Sequence, residues 1–174
     1  IVSATVFRLY NPGPVAWGAL TREEYRDRLI PPPGRLVPLL RVVGGLAGPA
    51  ARVLLVGDVK APDLGAVPVY ASLFDEQHLA AWARAAPSAE RLAVRFRQAG
   101  IGVVFFHVGG AVFLQERFAS FALPPPGAAS LADFWSRRLE PLREWNEDGR
   151  LAFGVYRPRR RPGPPRKLPL PGSW

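Results

Sequence analysis

The chain has 174 residues, of which 48% are hydrophobic and 21% charged, and it contains no cysteine. This size and composition are those of one globular domain, and the lack of cysteine excludes disulfides and thiolate metal sites. No apolar stretch reaches the roughly 18 residues of a membrane-spanning helix, because the longest candidate, residues 36–51, contains Pro38, Arg41 and Pro49.

The net charge of +9 is concentrated at one end of the chain. Residues 157–174 contain six basic residues and no acid, which leaves +3 for residues 1–156. We therefore divide the chain into an irregular lead-in over 1–20, a single α/β domain over 21–156 and a basic, proline-rich tail over 157–174 that should be extended or disordered. The chain begins at Ile1 without a signal-peptide pattern, and we interpret it as part of a longer protein.

The first predicted elements are two helices. Thr21 followed three residues later by Glu24 forms a capping box at the start of one helix. An apolar helix over 36–43 follows, and it should end at Gly44-Gly45.

Four segments have the composition of strands. Residues 53–56 and 101–107 are short apolar runs of the kind that forms buried parallel strands. Residues 67–72, weakened by Pro68, and residues 151–156 complete the set. The sequence therefore predicts a three-layer, Rossmann-like α/β domain with a small, mostly parallel mixed sheet flanked by helices.

Two helices should lie between the second and third strands, and a third helix should follow them. Asp75 and Ser88 are candidate N-caps for the first two. After the third strand, Gly109-Gly110 reads as a turn, and the spacing of aromatic residues predicts a helix over 113–121.

The last predicted helix begins at Ser130, which could form a second capping box with Asp133. Apolar residues continue in helical register from there to Trp145. Pro141 should kink or split this helix, because proline lacks an N–H donor and clashes with the preceding turn.

Candidate ligand-binding residues follow the strands, since sites in parallel sheets lie beyond the carboxyl ends of the strands. Asp58 and Lys60 follow the first strand, His107 ends the third, and Gly109 comes after it. Each residue also fits a structural role, which we favour. Asp58 would be a turn acid, and Lys60 would form an exposed ion pair with it. His107 would be satisfied by backbone groups, and Gly109 would be a turn glycine. No complete catalytic or metal-binding motif is present, so we predict no catalytic residue, no metal and no cofactor.

The tail is a second candidate site. Its basic residues could contact anionic lipid headgroups or another anion, and a solvated end without a binding role is the alternative. They are Arg159, Arg160, Arg161, Arg166 and Lys167. The body of the chain offers no basic stripe and no nucleic-acid motif, so we predict no nucleic-acid partner.

The order of these elements resembles the soluble region that follows the last membrane helix in large polytopic glycosyltransferases of the GT-C type, which use lipid-linked sugars. The resemblance covers about residues 13–157 and rests on the stretches 18–25, 52–58, 88–92, 96–104 and 155–157. One departure is Val59-Lys60-Ala61-Pro62, at a place where such regions commonly have a tyrosine pair.

The resemblance implies a domain on the extracytoplasmic side of the cell membrane, with the transmembrane region of the same polypeptide as its partner. Catalytic acids in that family lie on loops between membrane helices, so it implies a non-catalytic accessory role that shapes the acceptor or lipid-linked-sugar side. Two alternatives stay open. One is a free-standing nucleotide or sugar-phosphate binding enzyme that uses the sheet crevice, and the other is a peripheral membrane-binding module that acts through the basic tail.

Overall fold

The computed structural model describes residues 18, 19, 21, 24, 36–57, 64–71 and 75–167. Within these ranges, and beyond the helical residue Glu24, five helices and five strands are formed. The helices are α1 (Leu36–Ala47), α2 (His78–Ala85), α3 (Ala89–Gln98), α4 (Val108–Phe118) and α5 (Pro125–Arg138). The strands are β1 (Arg52–Val56), β2 (Val67–Val69), β3 (Ile101–His107), β4 (Leu139–Glu147) and β5 (Arg150–Pro158).

The strands form one mixed sheet in the order β2-β1-β3-β5-β4. β1 pairs in parallel with both β2 and β3, whereas β5 is antiparallel to both of its neighbours, β3 and β4. Four of the five strands therefore point in the same direction. The predicted α/β class with a mostly parallel sheet is confirmed.

Alternate residues of the central strands feed two apolar cores, one on each face of the sheet, because side chains alternate along a strand. One core is shared with α2, α3, α4 and α5, and its largest fully buried side chains include Phe96, Phe134, Trp135 and Tyr156. The other core joins the opposite side chains of the same strands to Leu40 and Val43 of α1, among others. The helices thus make two layers around the sheet.

Two of the predicted helix caps are present, those at Thr21 and Ser88. The backbone N–H of Thr21 donates to the Glu24 carboxylate at 2.7 Å, and the N–H of Glu24 donates to the Thr21 hydroxyl at 3.1 Å. At the start of α3, the Ser88 hydroxyl accepts the N–H of Arg91 at 3.4 Å. Asp75, in contrast, is exposed and does not cap α2, whose N-cap residue is Gln77.

The prediction that α1 ends at Gly44-Gly45 is wrong, because the helix continues to Ala47. Gly44 lies directly against the backbone carbonyl of Leu64, where a β-carbon would overlap that oxygen. The glycine therefore permits a close approach inside the helix. The true stop signal is Gly48, which has a φ of +86° and donates its N–H to the Gly44 carbonyl at 2.8 Å.

The prediction of a helix from Ser130 to Trp145 is also wrong. α5 starts earlier, at Pro125, with proline in its first turn, and Ser130 is buried in the helix interior. Proline suits that first turn because its missing N–H has no partner there in any case. The helix ends at Arg138, and the chain continues directly into β4.

Leu142 and Trp145 of β4 have the spacing of a helix face, and they can still face one core because the pairing of β4 with β5 is irregular. The register shifts between Pro141 and Arg143 and again between Trp145 and Asn146. The first shift leaves Leu142 without a partner on β5 and lets it pack against the same core as Trp145, although a separation of three residues would place the two on opposite faces of a regular strand. Pro141 is tolerated because β4 lies at the edge of the sheet that the described residues form, where one row of N–H groups has no strand partner among those residues.

Several predictions concern residues outside the described ranges. They include the lead-in up to residue 17, the remainder of the first helix and the last seven residues of the tail. The strand predicted over 67–72 is observed over Val67–Val69, and the strand predicted over 151–156 extends over Arg150–Pro158.

Candidate functional site

The carboxyl ends of β1 and β3 lie side by side, as the sequence predicts for parallel strands, with Val56 paired to Phe106. Because His107 pairs with Phe153 of the antiparallel β5, the β4–β5 turn reaches the same edge of the sheet. A crevice of about 490 Å³ opens there. His107 and Gly109 form one wall, and Glu147, Asp148 and Arg150 of the hairpin line the other.

His107 is partly buried and packs as an aromatic residue. Its ring stacks on Phe153 with centroids 4.7 Å apart and an interplanar angle of 23°. The second histidine, His78, is the first residue of α2 and has its Nε2 atom 3.1 Å from the carbonyl oxygen of Tyr70. His107 therefore contributes to aromatic packing, and His78 ties α2 to the backbone of Tyr70. The prediction that backbone groups satisfy the nitrogens of His107 stays a prediction.

The glycines at this edge allow α4 to begin directly at the end of β3. Gly57, with a φ of +82°, faces the start of α4, where a β-carbon would come within 2.6 Å of the Ala111 nitrogen. A β-carbon on Gly110 would overlap the Gly57 carbonyl oxygen, while Gly109 has room for one. The predicted turn at Gly109-Gly110 is therefore wrong: both residues lie inside α4, and Gly110 serves close packing.

The hairpin wall of the crevice ends in a tight turn. Asp148 and Gly149 both have positive φ, 48° and 74°, which is typical of the two-residue turn that Asp-Gly favours. The side chains of Glu147, Asp148 and Arg150 are exposed. Exposed charges hold a ligand weakly, and among the residues that the structure describes no three His, Cys, Asp or Glu side chains cluster as metal ligands.

Asp58 and Lys60 lie outside the described residues, so their predicted place beside His107 stays a prediction. The structure does place His107 and Gly109 together in one crevice. This crevice can receive a small polar molecule. The side chains that line it in the described part of the chain do not by themselves make a catalytic set, since general acid–base chemistry needs a second reacting group within hydrogen-bond reach.

The tail residues lie at the opposite edge of the sheet, because β5 runs antiparallel to β3 and ends beside its amino end. Beyond β5 the tail follows the last turn of α5. Backbone N–H groups of Arg159, Gly163 and Arg166 donate to the carbonyls of Arg138, Arg137 and Ser136 at 2.7, 2.9 and 3.1 Å. These carbonyls have no partner within the helix, so this part of the tail caps α5.

A buried arginine holds the tail in place, and the sequence did not reveal it. Arg138 is only 8% exposed; its Nη1 donates to the Arg160 carbonyl at 3.0 Å, and its Nη2 donates to Glu90 at 3.3 Å. Hydrogen bonds from the backbone N–H of Glu90 and from Arg138 lower the pKa of Glu90. The neighbouring Arg137 is exposed and pairs with Asp133 at 2.8 Å. The signal that separates the two is helical spacing, because Arg138 lies four residues after the buried Phe134, whereas Arg137 lies four residues after the exposed Asp133.

A second internal group missed by the sequence is Tyr156, which is fully buried on the sheet face covered by α5. Its hydroxyl donates to the Glu144 carboxylate at 3.1 Å, and its ring lies over Gly154, where a β-carbon would overlap the ring. Burial, and then the charge of Glu144, raise the pKa of Tyr156 well above its usual value. The residue lies in neither candidate site and stabilises the sheet.

Comparison of the chain with protein-family models, with curated proteins and with solved structures yields no match. None of the helices in the described ranges has both the length and the apolar character needed to cross a bilayer. The resemblance to glycosyltransferase C-terminal regions therefore stays a prediction, and the function is argued from the geometry.

Proposed function

We propose that this chain is a non-catalytic accessory domain of a membrane glycosyltransferase-like protein. It packs on the transmembrane region of the same polypeptide, on the extracytoplasmic side, and helps to shape the acceptor or lipid-linked-sugar side of the active site. The order of its elements supports the membrane context, and the apolar surface of α4 supports docking against another body.

The observation that carries the proposal is the aromatic pair on α4. Phe113 and Phe118 are 53% and 44% exposed, and their rings pack edge to face with centroids 6.1 Å apart. Large exposed aromatic residues that touch each other form an apolar surface whose exposure to water is unfavourable and whose burial in an interface lowers the free energy. α4 begins at the carboxyl edge of the sheet, where the crevice opens, and Phe113 and Phe118 lie in its middle and at its last residue.

The test has a genetic and a chemical part. The gene upstream of the Ile1 codon should encode a series of membrane helices. Because the 174 residues contain no cysteine, Phe113→Cys can be labelled selectively with a maleimide in the isolated chain, and also in the full-length membrane protein once any cysteines outside these residues are replaced. The cysteine should react several-fold more slowly in the full-length protein, whereas Arg95→Cys, exposed on α3, should react equally in both. A gene without membrane helices, or equal labelling at position 113, would reject the proposal.

The crevice itself favours a second candidate function, the binding of a nucleotide or sugar phosphate. Its support is the volume of about 490 Å³ beside His107 and Gly109 at the carboxyl edge of the sheet. This function predicts a rise in melting temperature with such a ligand that His107→Ala abolishes. A panel of nucleotides and sugar phosphates that leaves the melting temperature unchanged would eliminate it.

A further inference from the structure

A second cleft lies at the amino end of β3, at the edge of the sheet opposite to His107. Its volume is about 390 Å³. The end of α3, the residues 100–102 and the segment 157–160 form its walls. Its apolar floor consists of the partly exposed Pro158 together with Phe96 and Phe134, which are almost fully buried and pack against each other with ring centroids 4.6 Å apart. The cleft therefore combines an apolar floor with walls from three separate parts of the chain.

Four arginines line this cleft: Arg97, Arg157, Arg159 and Arg160. Arg159 lies 3.6 Å from the Glu140 carboxylate, but the other three have no ion pair with any residue that the structure describes. The buried Nε–H of Arg159 also lacks an acceptor within those ranges. Like charges gathered in one cleft repel one another, so a bound anion would relieve the repulsion and accept the unused hydrogen-bond donors.

The backbone that carries the arginines is held in place before any ligand arrives, while the side chains of Arg97, Arg157 and Arg160 are exposed. Arg138, itself buried, binds the backbone of Arg160 through its guanidinium group and the backbone of Arg159 through its carbonyl. Arg97 projects from α3, and Arg157 belongs to β5. A site on rigid elements loses less conformational entropy on binding than a flexible basic tail would lose.

We propose that this cleft binds a phosphate group carried by a molecule whose uncharged part lies on the apolar floor. Guanidinium groups match the oxygen geometry of phosphate and remain charged at all physiological pH values. A phospholipid headgroup and a soluble phosphate ester present the same chemistry, and the experiment separates them. The inference goes beyond the accessory role and does not rest on it.

The test compares two double variants of the 174-residue chain. Arg97→Ala with Arg160→Ala removes two arginines of the cleft. Arg95→Ala with Arg161→Ala removes the same number of charges from α3 and the tail, at exposed positions outside the cleft. Binding of phenyl phosphate and inorganic phosphate is measured by NMR titration at constant ionic strength. Co-sedimentation is measured with phosphatidylcholine vesicles that contain or lack phosphatidic acid.

The cleft variant should bind at least about tenfold more weakly than the unmodified chain, since it loses two charge-assisted contacts, while the control stays within about twofold. Arg157→Ala, on β5, should weaken binding independently. Binding to vesicles alone identifies a lipid source, and binding of phenyl phosphate in preference to inorganic phosphate identifies a soluble ester. Equal losses in the two double variants, or no binding of any probe, would overturn the proposal.

Discussion

Tyr156 is the residue whose surroundings most clearly set its contribution to stability. Its hydroxyl is buried and donates to Glu144, so Tyr156→Phe removes a hydrogen bond to a charged group and leaves the ring in place. We expect the free energy of unfolding to fall by about 1–2 kcal/mol, measured by urea denaturation. An unchanged value would mean that the hydrogen bond to Glu144 adds no more stability than the hydrogen bonds that the hydroxyl makes with water in the unfolded chain.

The same residue links stability to pH. Burial and the Glu144 charge raise the pKa of Tyr156 in the folded chain, whereas a tyrosine in the unfolded chain ionises near pH 10. Its contribution is therefore complete below about pH 10 and is lost as the pH rises further, because only the unfolded chain then releases the proton. The free energy of unfolding of Tyr156→Phe should decline less steeply above pH 10 than that of the unmodified chain. Parallel declines would contradict this.

Two adjacent glycines provide a matched test of the packing at the crevice. A β-carbon on Gly110 would overlap the carbonyl oxygen of Gly57, a backbone atom that cannot rotate away, while Gly109 is open. Gly110→Ala should lower the free energy of unfolding by about 1–3 kcal/mol. Gly109→Ala should cause no loss, since alanine favours the helix. Thermal denaturation of both variants measures the difference, and equal effects would refute the close-packing role.

At the scale of elements, the end of α5 depends on the chain that follows β5. A chain truncated after Pro158 loses the three backbone hydrogen bonds to the last turn of the helix and the bond from Arg138 to the Arg160 carbonyl. At about 0.5–1.5 kcal/mol each, the free energy of unfolding should fall by about 2–6 kcal/mol in urea denaturation. A chain that ends at Lys167 keeps all four bonds and serves as the control. If both truncations were equally stable, the capping role of the tail would be wrong.

The sequence predicted the central strands and the capped helix starts at Thr21 and Ser88, because those features depend on neighbours along the chain. It failed at α5 and β4. Leu142 and Trp145 are spaced as on one face of a helix, but they face the same core from a strand whose pairing is irregular. A register shift depends on the partner strand β5, which follows later in the chain. The apolar spacing alone therefore could not distinguish the two structures.

The candidate sites were predictable only in part. His107 and Gly109 do share a crevice, as the parallel-strand rule implied. The close approach of Gly57 to Gly110 and the hydrogen bond from Arg138 to Glu90 join residues more than 45 positions apart. No local pattern indicates such pairs, and the four-arginine cleft likewise forms only when the tail folds back on α3.

At the scale of the whole molecule, the exposed aromatic pair should govern association of the isolated chain. Without its proposed membrane partner, the chain should self-associate through Phe113 and Phe118. Replacing both with serine should reduce association in analytical ultracentrifugation and change the free energy of unfolding by less than about 0.5 kcal/mol. Leu46→Ser, an exposed apolar position on α1, is the control and should not reduce association. Equal effects would argue against a specific aromatic face.

The irregular outer edge of β4 disfavours pairing with a strand from another copy of the chain at high protein concentration. Its proline lacks a donor, its pairing shifts twice, and Arg143 and Glu144 place opposite charges on the exposed strand. An incoming strand from another copy would therefore find no continuous ladder to extend. At the other margin, β2 offers only three residues, with a proline at the centre. Both ends of the sheet thus disfavour the growth of cross-β fibres.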